Sequence, residues 1–192
     1  MSYNPDIHQR RSIRLKGYDY ATPGAYFVTV CTHERECLFG DIVDGVMRLN
    51  DAGRMVNDSW QRIVTHFIGV EIDQFVIMPN HFHGIVTTVG AGSPRPNLTN
   101  QGGGTNQGGE TPPLRGVTLG QIVGYFKYQS TKYINQTRNT PGTPVWQRNY
   151  YERVIRDDRE LATIRQYIAD NPAKWAEDEN RPGLRVTLPG QT

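Results

Sequence analysis

The chain has 192 residues, 36% of them hydrophobic and 21% charged, enough for one sizeable core and too few for two ordinary domains. Its 21 Lys and Arg against 19 Asp and Glu leave a formal charge of +2, which excludes a histone-like polycation but not a local basic face for phosphate. Cys31 and Cys37 cannot build a disulfide framework and fit a reducing compartment. The polar start lacks the apolar core of a secretion signal, and no apolar run approaches the roughly 18 residues of a membrane helix. A cytoplasmic location and no membrane partner are expected.

In chain order, residues 1–9 read as a flexible tail ahead of a single domain spanning 10–175. Residues 25–33, AYFVTVCTH, are rich in β-branched and aromatic side chains and predict a strand. Asn50 can cap a helix reaching about Phe67, with Val56, Trp60, Ile63 and Phe67 recurring at helical spacing. Residues 70–78 and 81–89 predict two strands, and Pro79-Asn80 between them is a turn signal, so an antiparallel hairpin is expected.

Residues 90–115 are dense in Gly and Pro, holding seven of the 20 Gly and four of the 12 Pro, and repeat Thr-Asn-Gln-Gly-Gly from Thr99 and from Thr105. Such a stretch buries too little apolar surface to offset its ordering entropy. It reads as a flexible insert or as a loop that closes on a ligand.

After the insert, Thr118 can cap a helix to about Asn135 with an inner stripe of Leu119, Ile122, Phe126 and Tyr133. A short strand is expected at 150–155, then a helix from Asp157 or Asp158 to Asn171, and a further short helix from Pro172 that carries Trp175. Residues 176–192 read as a second flexible tail. The order β-α-β-β-α-β-α predicts an α+β fold. It is a ferredoxin-like, RRM-like split βαβ antiparallel sheet with helices on one face and an added C-terminal helix.

Two features could carry chemistry. His81 and His83 sit one residue apart on a predicted strand, so both imidazoles face one side, either as metal ligands or as half-buried strand histidines. Neither a zinc hydrolase pattern nor zinc-finger spacing accompanies them: Gly84, Ile85 and Val86 follow the pair, and Cys31 and Cys37 lack a partner motif. On the C-terminal helix, Tyr167 and Asn171 are four residues apart at the border of the Leu161, Ile164, Ile168 stripe. There Tyr167 is either a reactive phenol or a core-edge tyrosine. Tyr125 and Gln129 have the same spacing on the preceding helix, and spacing alone does not separate the pairs.

The run Phe75-Val76-Ile77-Met78-Pro79-Asn80-His81-Phe82-His83-Gly84 resembles the histidine motif of single-strand DNA transposases of the one-tyrosine, IS200-like type. The Tyr26-Phe27-Val28-Thr29 strand, Trp146 to Tyr151 and Ile164 to Pro172 sharpen this to a resemblance to the REP-associated tyrosine transposases, over roughly 10–175 without the insert. The resemblance implies a divalent ion, Mg2+ or Mn2+, on His81, His83 and Asn171, and a nucleophilic Tyr167 that forms a 5′-phosphotyrosine. It makes the added helix the catalytic one, and Tyr125, on the wrong helix, ranks behind Tyr167.

The implied partner is single-stranded or hairpin DNA from palindromic repeats, with no small-molecule cofactor beyond the metal and with a monomer preferred to a dimer. Residues 111–156 carry seven Lys or Arg, among them Lys127, Lys132, Arg148 and Arg153, against the single acid Glu152. Interleaved with Tyr125, Tyr128, Tyr133, Trp146, Tyr150 and Tyr151, they suit single-stranded DNA or form an ordinary solvated face. Arg10, Arg11, Arg14 and Lys16 form a second basic arm. Two other classes stay open: a hairpin DNA- or RNA-binding module without cleavage, and a metal-dependent phosphodiesterase that uses water.

Overall fold

A computed structural model describes residues 22–88 and 117–182. The tail 1–9, the basic arm with Arg10, Arg11, Arg14 and Lys16, and the insert 90–115 lie outside the described residues.

Strand β1 (Gly24–Cys31) is followed by a short hairpin of β2 (Gly40–Val43) and β3 (Val46–Leu49), then by helices α1 (Asp51–Gln61) and α2 (Ile63–His66). Strands β4 (Val70–Met78) and β5 (His81–Thr88), helix α3 (Leu119–Arg138), strand β6 (Tyr151–Ile155) and helix α4 (Asp158–Asp170) complete the order. The main sheet runs β4-β5-β1-β6, every neighbour antiparallel, which is the expected split βαβ arrangement.

Alternation along the two central strands gives the sheet two unlike faces. Tyr26, Val28, Val30, Phe82 and Val86 join Trp60 of α1, Ile63 of α2 and Phe126 of α3 in the larger core. The Trp60 ring lies 4.5 Å from Phe82 and 5.1 Å from Phe126. On the other face Phe27, Ile85 and Ile155 pack under Ile164 and Ile168 of α4. Helices α1 to α3 therefore share one face, and the added C-terminal helix covers the other.

The caps follow the chain's own chemistry. Asn50 accepts from the Gly53 amide, Thr118 and Gln121 form a capping box, and Asp157 rather than Asp158 caps α4 by accepting from the Glu160 amide. Two expectations change. The helix expected over 50–67 breaks at Arg62, whose carbonyl accepts from the Thr65 hydroxyl at 2.9 Å. The β2–β3 hairpin went unpredicted because its strands are only four residues each and its turn flanks, Val43 and Val46, are exposed rather than patterned. Its turn residues Asp44 and Gly45 have φ of 52° and 72°, the conformation a tight hairpin requires.

The boundary expected at 175 falls inside packed structure. Trp175–Glu177 forms one 3-10 turn, and the segment continues to buried Asn180, held by Asn80 Nδ2 donating to the Asn180 carbonyl (2.6 Å) and Arg35 Nη1 donating to the Glu179 carbonyl (2.9 Å). This C-terminal strap lies against the His81 end of β5.

Candidate active site

The β1–β5 register pairs Cys31 with His81 and Thr29 with His83, so both imidazoles stand on the α4 face, His81 fully buried and His83 nearly so. Asn80, in the turn between β4 and β5, sets the state of His81. Its amide nitrogen donates to the carbonyls of Arg35 (3.1 Å) and Asn180 (2.6 Å), which leaves Oδ1 as the acceptor of His81 Nδ1–H at 2.9 Å. The lone pair is thereby directed to Nε2, a buried atom without a hydrogen-bond partner. Burial pushes the His81 pKa down to about 4, against the opposing pull of the Asp178 carboxylate and the Asn171 amide.

His83 is fixed in the same manner. Its Nδ1 is 2.8 Å from Thr29 Oγ1, its ring stacks on Phe27 at 5.4 Å, and its Nε2 lies 3.5 Å from the Tyr167 hydroxyl. Burial, with His81 beside it, holds its pKa well below the ordinary value. Both imidazoles are thus neutral at pH 7, the form that ligates a metal.

Helix α4 delivers the remaining groups. Ile164 and Ile168 bury its inner stripe, so Tyr167 sits at the rim, 48% exposed, with its ring edge-on to Phe27 at 6.0 Å. Burial raises the Tyr167 pKa, the nearby Asn171 amide lowers it, and Asp178 and Glu179 raise it further. Asn171 is buried, and its Nδ2 donates to the Tyr167 carbonyl at 2.9 Å, so its Oδ1 is left for the site. The four residues singled out from the sequence, His81, His83, Tyr167 and Asn171, are brought together from β5 and α4.

The rival Tyr125 is not part of this cluster. It stacks on His66 (3.9 Å between centroids, 10° between planes) and packs against the larger core, with the sheet between it and the imidazoles. Of the candidate DNA contacts, Lys127 is half-buried and donates to the carbonyls of Gln147 (2.5 Å) and Arg148 (3.0 Å). That ammonium ties the loop before β6 to α3 and is not free for phosphate. Arg153 pairs with Glu160 at 2.5 Å, while Lys132 and Arg148 are exposed.

Sequence reasoning missed Asn80, Thr29, Phe27 and Asp178 as parts of the site. Thr29 and Phe27 share the parity of His83 only once the β1–β5 register is known. Asp178 reaches His81 from the strap, 3.6 Å between Oδ2 and Nε2, and no local pattern marks it.

An unpartnered, buried imidazole nitrogen with its tautomer fixed from behind is a ready ligand, and His81 Nε2, His83 Nε2 and Asn171 Oδ1 are donors of the kind that could hold a divalent ion. Among the described residues no group of three or more His, Cys, Asp or Glu side chains is placed to hold a metal ion. No described helix is long and apolar enough to cross a membrane.

No family model matches the chain. It is 44% identical over 179 residues to an uncharacterized protein of Haemophilus influenzae (strain ATCC 51907 / DSM 11121 / KW20 / Rd), covering 92% of this chain and 96% of that one. Its structure is similar to that of a REP-associated tyrosine transposase bound to a REP hairpin, with a TM-score of 0.54 and 18% identity, over 86% of this chain and 76% of the other. The chain therefore belongs to one family with the Haemophilus influenzae protein, and its fold is that of the REP-associated tyrosine transposase.

Proposed function

We propose that this protein cleaves and rejoins single-stranded or hairpin DNA at palindromic repeats through a covalent link to Tyr167. The observation that carries the reading is the 3.5 Å approach of the Tyr167 hydroxyl to His83 Nε2 on the α4 face. The REP hairpin bound by the structural neighbour supports the substrate class. His81, His83 and Asn171 would hold a divalent ion, Mg2+ or Mn2+, which would supply charge stabilisation for phosphoryl transfer.

The chain's own groups do the rest. Tyr167 attacks the phosphorus and its phenolic proton passes to solvent through the exposed rim. The P–O3′ bond breaks, the departing 3′-oxygen takes a proton from solvent, and a 5′-phosphotyrosine remains. A second 3′-hydroxyl reverses these steps, so rejoining needs no nucleotide cofactor. Phe27 and Thr29 hold the His83 ring against Tyr167, and Asn171 turns its amide oxygen into the site from one turn further along α4. Exposed Lys132 and Arg148 and the exposed Tyr128 and Tyr151 rings are among the described groups suited to phosphate and base contact. We take the protein to act in the cytoplasm as a monomer.

A labelled palindromic oligonucleotide incubated with the protein and Mg2+ or Mn2+ tests this directly. The expected result is a denaturant-resistant protein–DNA adduct, lost by about a thousandfold or more in Tyr167→Phe and retained in Tyr125→Phe. Cleavage without adduct would instead indicate a water-using phosphodiesterase. Binding without cleavage under either ion would indicate a recognition module.

A further inference from the structure

We infer that Asp178 supplies a carboxylate oxygen to the same divalent ion as His81, an inference that rests on the metal reading above. The Asp178 side chain is only 9% exposed, and a carboxylate is taken out of water at a cost that needs compensation. Its Oδ1 accepts from the Asn180 amide at 2.7 Å, which leaves Oδ2 directed at His81 Nε2. Among the described residues, the basic side chain that it faces within 4 Å is His81, and its charge also reaches Cys31 and Tyr167.

The separation of those two atoms, 3.6 Å, is too long for an N–H···O hydrogen bond. It suits two ligands of one ion. Donors held about 2.1 Å from a common ion stand roughly 3.0 Å apart when adjacent, so the two atoms lie about 0.6 Å wider than neighbouring ligands of one ion and would close by that amount on binding it. His83 Nε2 is turned toward the Tyr167 hydroxyl, and His81, His83 and Asp178 do not converge as a three-ligand group in this structure, so an ion shared by all three would require the His83 ring to turn.

A second observation ties the carboxylate to the site. Asn80 both fixes the His81 tautomer, through Oδ1, and anchors the strap, through Nδ2 on the Asn180 carbonyl at 2.6 Å. Arg35 clamps the same strap from the Glu179 carbonyl at 2.9 Å. One side chain thus sets the position of the imidazole and, two residues from Asn180, that of the carboxylate. A hard anionic oxygen added to two imidazoles and an amide shifts the site toward Mn2+ and Mg2+.

The test is Mn2+ binding to the full chain without DNA, followed by the electron paramagnetic resonance signal of free Mn2+. Asp178→Asn and Asp178→Ser both keep an acceptor for the Asn180 amide, so the turn is retained. Each is expected to weaken Mn2+ binding at least tenfold, whereas exposed Glu179→Gln leaves it unchanged. Wild-type protein that takes up no Mn2+ would overturn the metal reading itself. Wild-type uptake with equal affinity in a folded Asp178→Asn or Asp178→Ser protein would overturn the role of Asp178 and leave that reading standing.

Discussion

His81 is prepared from behind rather than from the front. Because Asn80 spends both amide hydrogens on carbonyls, its oxygen has one remaining use, and the imidazole turns to meet it. Asn80→Ala frees both the tautomer and the ring. It should lower Mn2+ affinity about 10- to 100-fold while leaving the protein folded, as titration and circular dichroism would record. The two imidazoles also make acid sensitivity predictable. Their folded pKa values lie below the unfolded value near 6.5, His81 at about 4 and His83 lower than normal, so the unfolded chain binds more protons over that interval. The stability tied to them is complete above about pH 6.5 and drains as pH falls toward 4. Metal-free protein should melt at lower temperature at pH 5 than at pH 7, with a shallower dependence in His83→Gln; a flat wild-type profile would contradict the burial argument. His-x-His and Tyr-x-x-x-Asn were legible in the sequence because strand and helix periodicity are local. Asn80 was legible only as a turn residue, and Asp178 not at all, because its role depends on a contact 97 positions away along the chain.

At the scale of elements, Gly84 shows why the residue after the histidine pair carries no side chain. A Cβ there would come within 2.7 Å of the Phe82 ring and 2.8 Å of Trp60, both fully buried in the larger core. Gly84→Ala should cost about 1–3 kcal/mol by overpacking, read as a fall in the denaturant midpoint. Helix α4 is held over the sheet by its buried isoleucines and by Arg165, whose Nε and Nη2 reach the Asp73 carboxylate on β4 at 3.0 and 2.5 Å. Both partners are partly exposed, so Asp73→Asn should change stability by no more than about 1 kcal/mol. Since it loosens the helix that carries Tyr167, adduct formation should fall more than stability does. The long elements were readable from apolar periodicity. The β2–β3 hairpin was not, because strands of four residues against the rim of the core carry too few alternations to rise above loop composition.

For the whole molecule, the formal +2 averages unlike regions. Residues 111–156 hold seven bases to one acid outside which 157–181 hold seven acids to four bases. That division was visible in the sequence, but the structure reassigns some of its members: Lys127 braces a loop and Arg153 pairs with Glu160. The insert between β5 and α3 departs from Thr88, which pairs with Gly24 at the opposite end of β5 from His81. Deleting half of 90–115 should therefore leave adduct formation intact and the melting temperature equal or slightly higher, since halving the length of a connection lowers its closure cost by about 0.6 kcal/mol. Loss of activity on such a deletion would place the insert in the reaction.

Strand β5 holds one further consequence. Its odd positions, His81, His83 and Ile85, face α4, and its even positions, Phe82, Gly84 and Val86, face Trp60 and α3. A slip of one residue against β1 would drive both imidazoles into the aromatic core and turn Phe82 out beneath α4. Folding thus sorts the two faces: a chain that has closed its larger core has, by parity alone, already turned both imidazoles to the α4 side of the sheet.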